Sequence, residues 1–143
     1  MRFMVLAPAS KESEAGVMPT EQELTAMGKF NEELIQAGMI LAVEGLHPSA
    51  KGARIRFVDG ATTVVDGPFA ESEGVIAGFW LIKAGSKAEA IEWMRRAPFE
   101  AGTVLEIRQV LEMDDFGPAM TPELREQEER LRIQSEADAP RLR

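Results

Sequence analysis

Residues 76–82, IAGFWLI, contain no polar side chain, and how such a segment is covered decides the fold. A strand sends alternate side chains to opposite faces, so a run of this kind suits a strand that is buried on both. Directly after it the period changes. Ser86 stands three positions before Glu89, the spacing of a capping box. Ala90, Ile91, Trp93, Met94 and Ala97 then recur at helical intervals until Pro98 ends the helix. TVLEIRQVLEM, 103–113, reads as a closing strand.

The pattern N-terminal to this unit is similar. RFMVLA, 2–7, is a first strand stopped by Pro8, and the polar segment 8–19 reads as a loop. Thr20 and Glu23 form a second capping box, and Gly38 closes the helix they open. Leu24, Met27, Phe30, Leu34 and Ile35 are its expected apolar face. MILAVEGL, 39–46, is a strand ended by Pro48. In ARIRFVDGATTVV, 53–65, two β-rich runs flank Asp59-Gly60, a pair suited to a tight hairpin turn in which both central residues have positive φ. Ile55 and Phe57 then share one face of the hairpin, and Arg54 and Arg56 the other.

The order is β-α-β, a hairpin, then β-α-β. It predicts an α+β, ferredoxin-like sheet with an inserted β-hairpin. Two amphipathic helices cover one face of such a sheet. The apolar second face of IAGFWLI then calls for another apolar surface, and packing against a second copy predicts a homodimer. From Asp114 the chain becomes a charged tail, which divides it into a domain over 1–113 and a tail over 114–143. Thr121 and Pro122 are a cap and first-turn proline for a helix over roughly 121–134. Its few apolar anchors, Leu124, Leu131 and Ile133, predict an exposed helix that docks lightly or meets a protein partner.

Bulk composition excludes several functions. The 143 residues carry 24 Asp plus Glu against 16 Lys plus Arg, a net charge of -8 that repels phosphate backbones, so no nucleic-acid partner is expected. There is no cysteine, hence no disulfide, thiol catalysis or thiolate metal site. The short apolar start is too brief for a secretory signal and no run is long enough to span a membrane, so a cytoplasmic protein is expected. DDFG, 114–117, matches a kinase magnesium motif in letters only, since the chain lacks the accompanying Gly-rich and H-R-D loops.

Four places carry candidate chemistry. His47, the only histidine, follows a strand, and an imidazole is a side chain suited to general acid or base work. An exposed loop histidine is its structural alternative. Glu44 and His47 have E-x-x-H spacing, but on a strand the two point to opposite faces, so no metal site and no cofactor are expected. Asp66, in VVDGPFAES (64–72), can accept a backbone hydrogen bond while Gly67 takes an unusual torsion, Pro68 fixes φ and Phe69 plugs the core. A catalytic Asp66 that orients His47 is the competing role. Arg54 and Arg56 are placed to grip a carboxylate or phosphate, and Phe69 is a further candidate ligand-binding residue. A solvated outer face of the hairpin is the alternative for the arginines, and pairing with Glu71 or Glu73 would also satisfy them.

AVEGLHPSAKGARIRF (42–57), VVDGPFAES (64–72), IAGFWLIKAGSKAEAIEWMRRAP (76–98) and EIRQVLEMDDFG (106–117) together resemble the YCII-related proteins, in the branch named for its DGPF motif. The resemblance extends through TPELREQEERLR, 121–132. It implies a ferredoxin-like fold of the dimeric α+β barrel type, paired through its sheets. It also implies acid–base chemistry by a His–Asp pair and a genomic link to extracytoplasmic-function sigma factors. With His47 and Asp66 as candidates, a small molecule bound in a pocket near the dimer interface is the expected ligand. Asp66, Gly67, Pro68 and Phe69 match the motif directly. After it, Ser72, Glu73 and Gly74 stand where the branch resembles Thr, Lys and Glu. Any role of that lysine in holding an anion therefore does not carry over.

Overall fold

The structure, a computed structural model, describes residues 1–139 and, of Ser72, the backbone alone. Contacts divide the chain into two compact units, Met1–Val110 and a second from Leu111 onward.

In the first unit β1 (Arg2–Pro8), β2 (Ile40–Gly45), β5 (Ile76–Lys83) and β6 (Glu106–Gln109) form a sheet in the order β2-β5-β1-β6. Every neighbouring pair is antiparallel. With α2 (Glu21–Gln36) between β1 and β2, and α3 (Lys87–Met94) between β5 and β6, this is the ferredoxin-like arrangement. The hairpin of β3 (Ala53–Val58) and β4 (Ala61–Asp66) is inserted between the halves as a separate two-stranded sheet. It turns at Asp59 and Gly60, whose φ values are 45° and 79°. This is the geometry expected of the Asp-Gly pair.

Alternation along the two central strands sets the core. Phe3, Val5 and Ala7 of β1 and Gly78, Trp80 and Ile82 of β5 are buried, and the register places Phe3 against Ile82 and Val5 against Trp80. Phe30 and Leu34 of α2, Met39, Ala84, and Ala90 and Met94 of α3 complete this layer. Trp80 meets Phe30 and Phe99 edge to face, at centroid separations of 6.2 and 6.0 Å. Its indole N–H donates to the Asn31 side chain at 2.9 Å, so the large aromatic is buried without leaving a polar atom unpaired. On the opposite face Met4 pairs with Leu81 and Leu6 with Phe79, all four half-buried. The strand IAGFWLI is thus apolar on both faces, as its composition predicts.

Helix ends follow the sequence closely. The Thr20 hydroxyl accepts from Glu23 N–H at 3.1 Å, and at the other end Gly38, with φ of 72°, allows Gly38 and Met39 N–H to reach the Ile35 and Leu34 carbonyls. Several details differ from expectation. Of the predicted α2 face, Phe30 and Leu34 are buried and Met27 packs on them, whereas Leu24 and Ile35 are exposed. Ile35 lies about 100° around the helix from Leu34, off the narrow stripe that meets the sheet. Ser86 caps α3, but the Glu89 carboxylate accepts from Gly85 N–H at 3.2 Å rather than from Ser86. The last strand is confined to Glu106–Gln109, where it has β1 to pair with. The segment read as a plain loop contains α1 (Lys11–Glu14), capped by reciprocal bonds between Ser10 and Ser13.

In the second unit a 3₁₀ segment, Met113–Ala119, precedes α4 (Pro122–Asp138). Thr121 caps α4 by accepting from Leu124 N–H at 3.2 Å, and none of its residues is buried. The helix runs about a turn beyond the predicted 121–134.

Candidate functional site

The connection between β2 and β3 and the segment after β4 meet at one close crossing. A Cβ on Gly67 would lie 1.7 Å from the Ser49 carbonyl oxygen. Only a residue without a side chain allows the two backbones to pass there. Gly67 therefore serves by lacking a Cβ; its φ is not positive, so the expected unusual torsion is replaced by a steric requirement. Gly67 N–H also donates to the Gly52 carbonyl at 3.0 Å, and the Gly67–Pro68 peptide is cis.

Ser49 ties three segments together at this crossing. Its backbone N–H donates to a Glu14 carboxylate oxygen at 2.9 Å, and its hydroxyl donates to the other carboxylate oxygen. The same hydroxyl oxygen accepts from Phe69 N–H at 2.9 Å. The Ser49 hydroxyl, and then its N–H, hold the Glu14 carboxyl below the ordinary 4.5. Neither Glu14 nor Ser49 stands out in the sequence. Glu14 sits in a four-residue helix with no apolar period, and its partner is 35 positions away.

Asp66 does not perform the turn function expected of it. Among the described residues its carboxylate has no hydrogen-bond or ion-pair partner, and the bonds of Gly67 and Phe69 shape the turn instead. Phe69 is half-buried beside the hairpin and is not part of the core cluster, so it is no plug.

Phe69 instead forms one wall of a cleft of about 360 Å³, lined by Arg54, Ile55, Arg56, Val65, Pro68, Phe69 and Glu73. The Arg54 guanidinium lies 3.9 Å over the Phe69 ring and bonds Glu73 Oε2 at 2.5 Å. Pairing with Glu73 is among the readings that the sequence offers for the arginines. Arg56, next along the same strand face, has no partner among the described residues. A wider depression on the outer side of α2, lined by residues such as Thr20, Thr25 and Lys29, is a shallow helix surface.

Arg54, Arg56 and Phe69, singled out separately in the sequence, therefore share a cleft. His47 and Asp66 are not in its wall. Asp66 lies opposite Ala53 in the hairpin register, on the face that carries Ile55 and Val64, whereas Arg54 lies opposite Val65 on the other. His47 is exposed, two residues before Ser49, and Asp66 immediately precedes Gly67, so the close crossing gathers the segments that bear them. No hydrogen bond joins the two side chains. Among the described residues, no group of three or more His, Cys, Asp or Glu is placed to hold a metal ion, and no helix is long and apolar enough to cross a membrane.

A four-stranded antiparallel sheet under two helices, with a hairpin and its cleft inserted between the halves, defines a ferredoxin-like α+β protein. The model of the YCII-related domain matches residues 1–114, and the chain belongs to that family. An uncharacterised protein of Rhizobium meliloti (strain 1021) is 36% identical over 86 residues, covering 60% of this chain and 64% of the relative's length. The matched region thus spans just under two thirds of that relative. Among solved structures, 5-chloro-2-hydroxyhydroquinone dehydrochlorinase (TftG) from Burkholderia phenoliruptrix AC1100, in complex with 2,5-dihydroxybenzoquinone, is similar. It matches at 16% identity with a TM-score of 0.41, covering 78% of this chain and 96% of its own.

Proposed function

We propose that this protein is a homodimer that binds a small organic molecule in the cleft between the hairpin and the Pro68–Phe69 segment. The observation that carries this reading is the Arg56 guanidinium, which has no partner among the described residues, beside an aromatic and aliphatic wall. Small-molecule sites combine a mostly apolar lining with a few placed polar groups, and about 360 Å³ is at the lower end of their usual size. The half-buried apolar face of Met4, Leu6, Phe79 and Leu81, a surface that a second copy would cover, supports the dimer.

Acid–base chemistry is the finer part of the proposal, with His47 exchanging a proton with the ligand and Asp66 orienting it. Both side chains are exposed near the close crossing and have no partner among the described residues, which leaves them available. Geometry favours binding over catalysis, because neither lines the cleft. The test is a thermal-shift screen of a metabolite panel, repeated with His47→Ala and Asp66→Asn. A hit that stabilises the wild type and is turned over normally by both variants removes the catalytic role. A panel without any shift removes the binding role.

A second reading is an interaction module in which α4 contacts a protein partner; an extracytoplasmic-function sigma factor is the partner the family resemblance suggests. It is favoured by one observation, a 17-residue helix that buries none of its residues. Deleting residues 118–143 should abolish co-purification of that partner and leave the dimer intact. An unchanged interaction profile removes the reading.

A further inference from the structure

The charges around the cleft do more than mark it as a binding site. Two arginines and one glutamate line it, and they are not equivalent. The Arg54 guanidinium is held on one side by the Glu73 carboxylate at 2.5 Å and on the other by the Phe69 ring at 3.9 Å. A second bond, from Arg54 to the Glu73 backbone carbonyl at 3.3 Å, holds the same side chain. Arg54 is thereby neutralised and fixed as part of the wall. Arg56 has no acidic partner among the described residues and contributes the one unmatched charge. Ile55, Val65, Pro68 and the Phe69 ring supply the apolar remainder.

We infer that this cleft selects small carboxylates of a single negative charge that carry an apolar or aromatic body, with Arg56 as the anchor and Glu73 as the element that rejects dianions. This rests on the small-molecule reading above and narrows it. A guanidinium offers a flat pair of N–H donors that matches the two oxygens of a carboxylate. One unmatched positive charge is neutralised by one negative charge. A dianion such as a phosphate monoester brings a second charge for which the cleft offers no unmatched cation, because Glu73 already occupies Arg54. Glu73 thus occupies Arg54 as a built-in anion, which keeps the site from becoming a phosphate clamp of two arginines. The specificity comes from withholding Arg54 as much as from offering Arg56.

The experiment is an NMR titration of the full chain at pH 8 with three probes of the same ring: benzoate, neutral benzamide and phenyl phosphate, which is a dianion at that pH. Backbone resonances of residues 54–56 and 65–69 should move with benzoate, weakly with phenyl phosphate and hardly with benzamide. Arg56→Gln should weaken benzoate by roughly tenfold or more, the usual loss for a hydrogen-bonded charge. Glu73→Gln should reverse the order of the two anions by releasing Arg54. The apolar variant Phe69→Leu should weaken all three probes while retaining their order. If benzoate and benzamide move the cleft equally, or if Glu73→Gln leaves the order unchanged, the charge rule is overturned while small-molecule binding stands. If none of the probes moves these resonances, the carboxylate proposal and the cleft reading fall together.

Discussion

A methyl group added at Gly67 meets backbone, the Ser49 carbonyl oxygen and carbon, and backbone cannot swing aside as the end of a flexible side chain can. Gly67→Ala should therefore destabilise the fold by at least about 2 kcal/mol in urea unfolding. Gly28, inside α2 with nothing within 4 Å of its added Cβ, is the control. There Gly28→Ala should stabilise by up to about 1 kcal/mol, through helix propensity. Ser49→Ala leaves the half-buried Phe69 N–H without its acceptor, a loss of about 1 kcal/mol or more. The Glu14 carboxyl is held below its ordinary 4.5 in the folded chain, so its contribution is complete above that pH and is lost as pH falls through the folded value. Glu14→Gln should flatten the acid side of the stability profile, read as urea midpoints between about pH 7 and pH 3. Equal acid slopes in wild type and variant count against the Ser49 bonds.

At the scale of elements, the hairpin is the outlier. Two strands alone are marginal in water, and here Ile55 and Phe57 remain 60% and 80% exposed. What holds the hairpin to the rest is local: the Gly67–Gly52 bond, the Ser49–Phe69 bond and the Arg54–Glu73 pair. Hydrogen exchange should show β3 and β4 amides opening well before those of β1 and β5, which exchange only near global unfolding. Similar protection in both sheets is the contrary result. The ion pair adds little, since its side chains are 40% and 54% exposed. A double-mutant cycle over Arg54 and Glu73 should give under about 1 kcal/mol, smaller still in high salt. Such a weak pair is suited to a ligand site, because it shapes charge without locking the cleft.

For the whole molecule, the main sheet's face opposite the core carries the largest expectation. Phe79 and Leu81 lie in its centre, half-buried in the single chain. Light scattering should give twice the 15.7 kDa of one chain, and Phe79→Asp should return a species near 15.7 kDa that still melts cooperatively. A wild-type monomer at all concentrations overturns the pairing of sheets. The order of elements, the hairpin turn and the caps at Thr20 and Ser86 were all legible in the sequence, since each depends on residues a few positions apart. Legibility failed where partners are distant. Nothing near Glu14 announces Ser49, and nothing near Glu89 says that its carboxylate prefers Gly85 to Ser86.

By itself, the sequence determined the ferredoxin-like order, because hydrophobic period and turn chemistry are local signals that survive without a folded context. It also determined which arginines share a strand face, because that follows from alternation alone. Only the tertiary structure decided what VVDGPFAES does. Contact between segments far apart in the chain makes Gly67 a steric necessity and Phe69 a cleft wall, and leaves Asp66 outside the turn it was expected to build. The same contact sets Arg54 against Glu73 while Arg56 has no partner among the described residues, and that difference in pairing depends on distances that no spacing along the chain encodes.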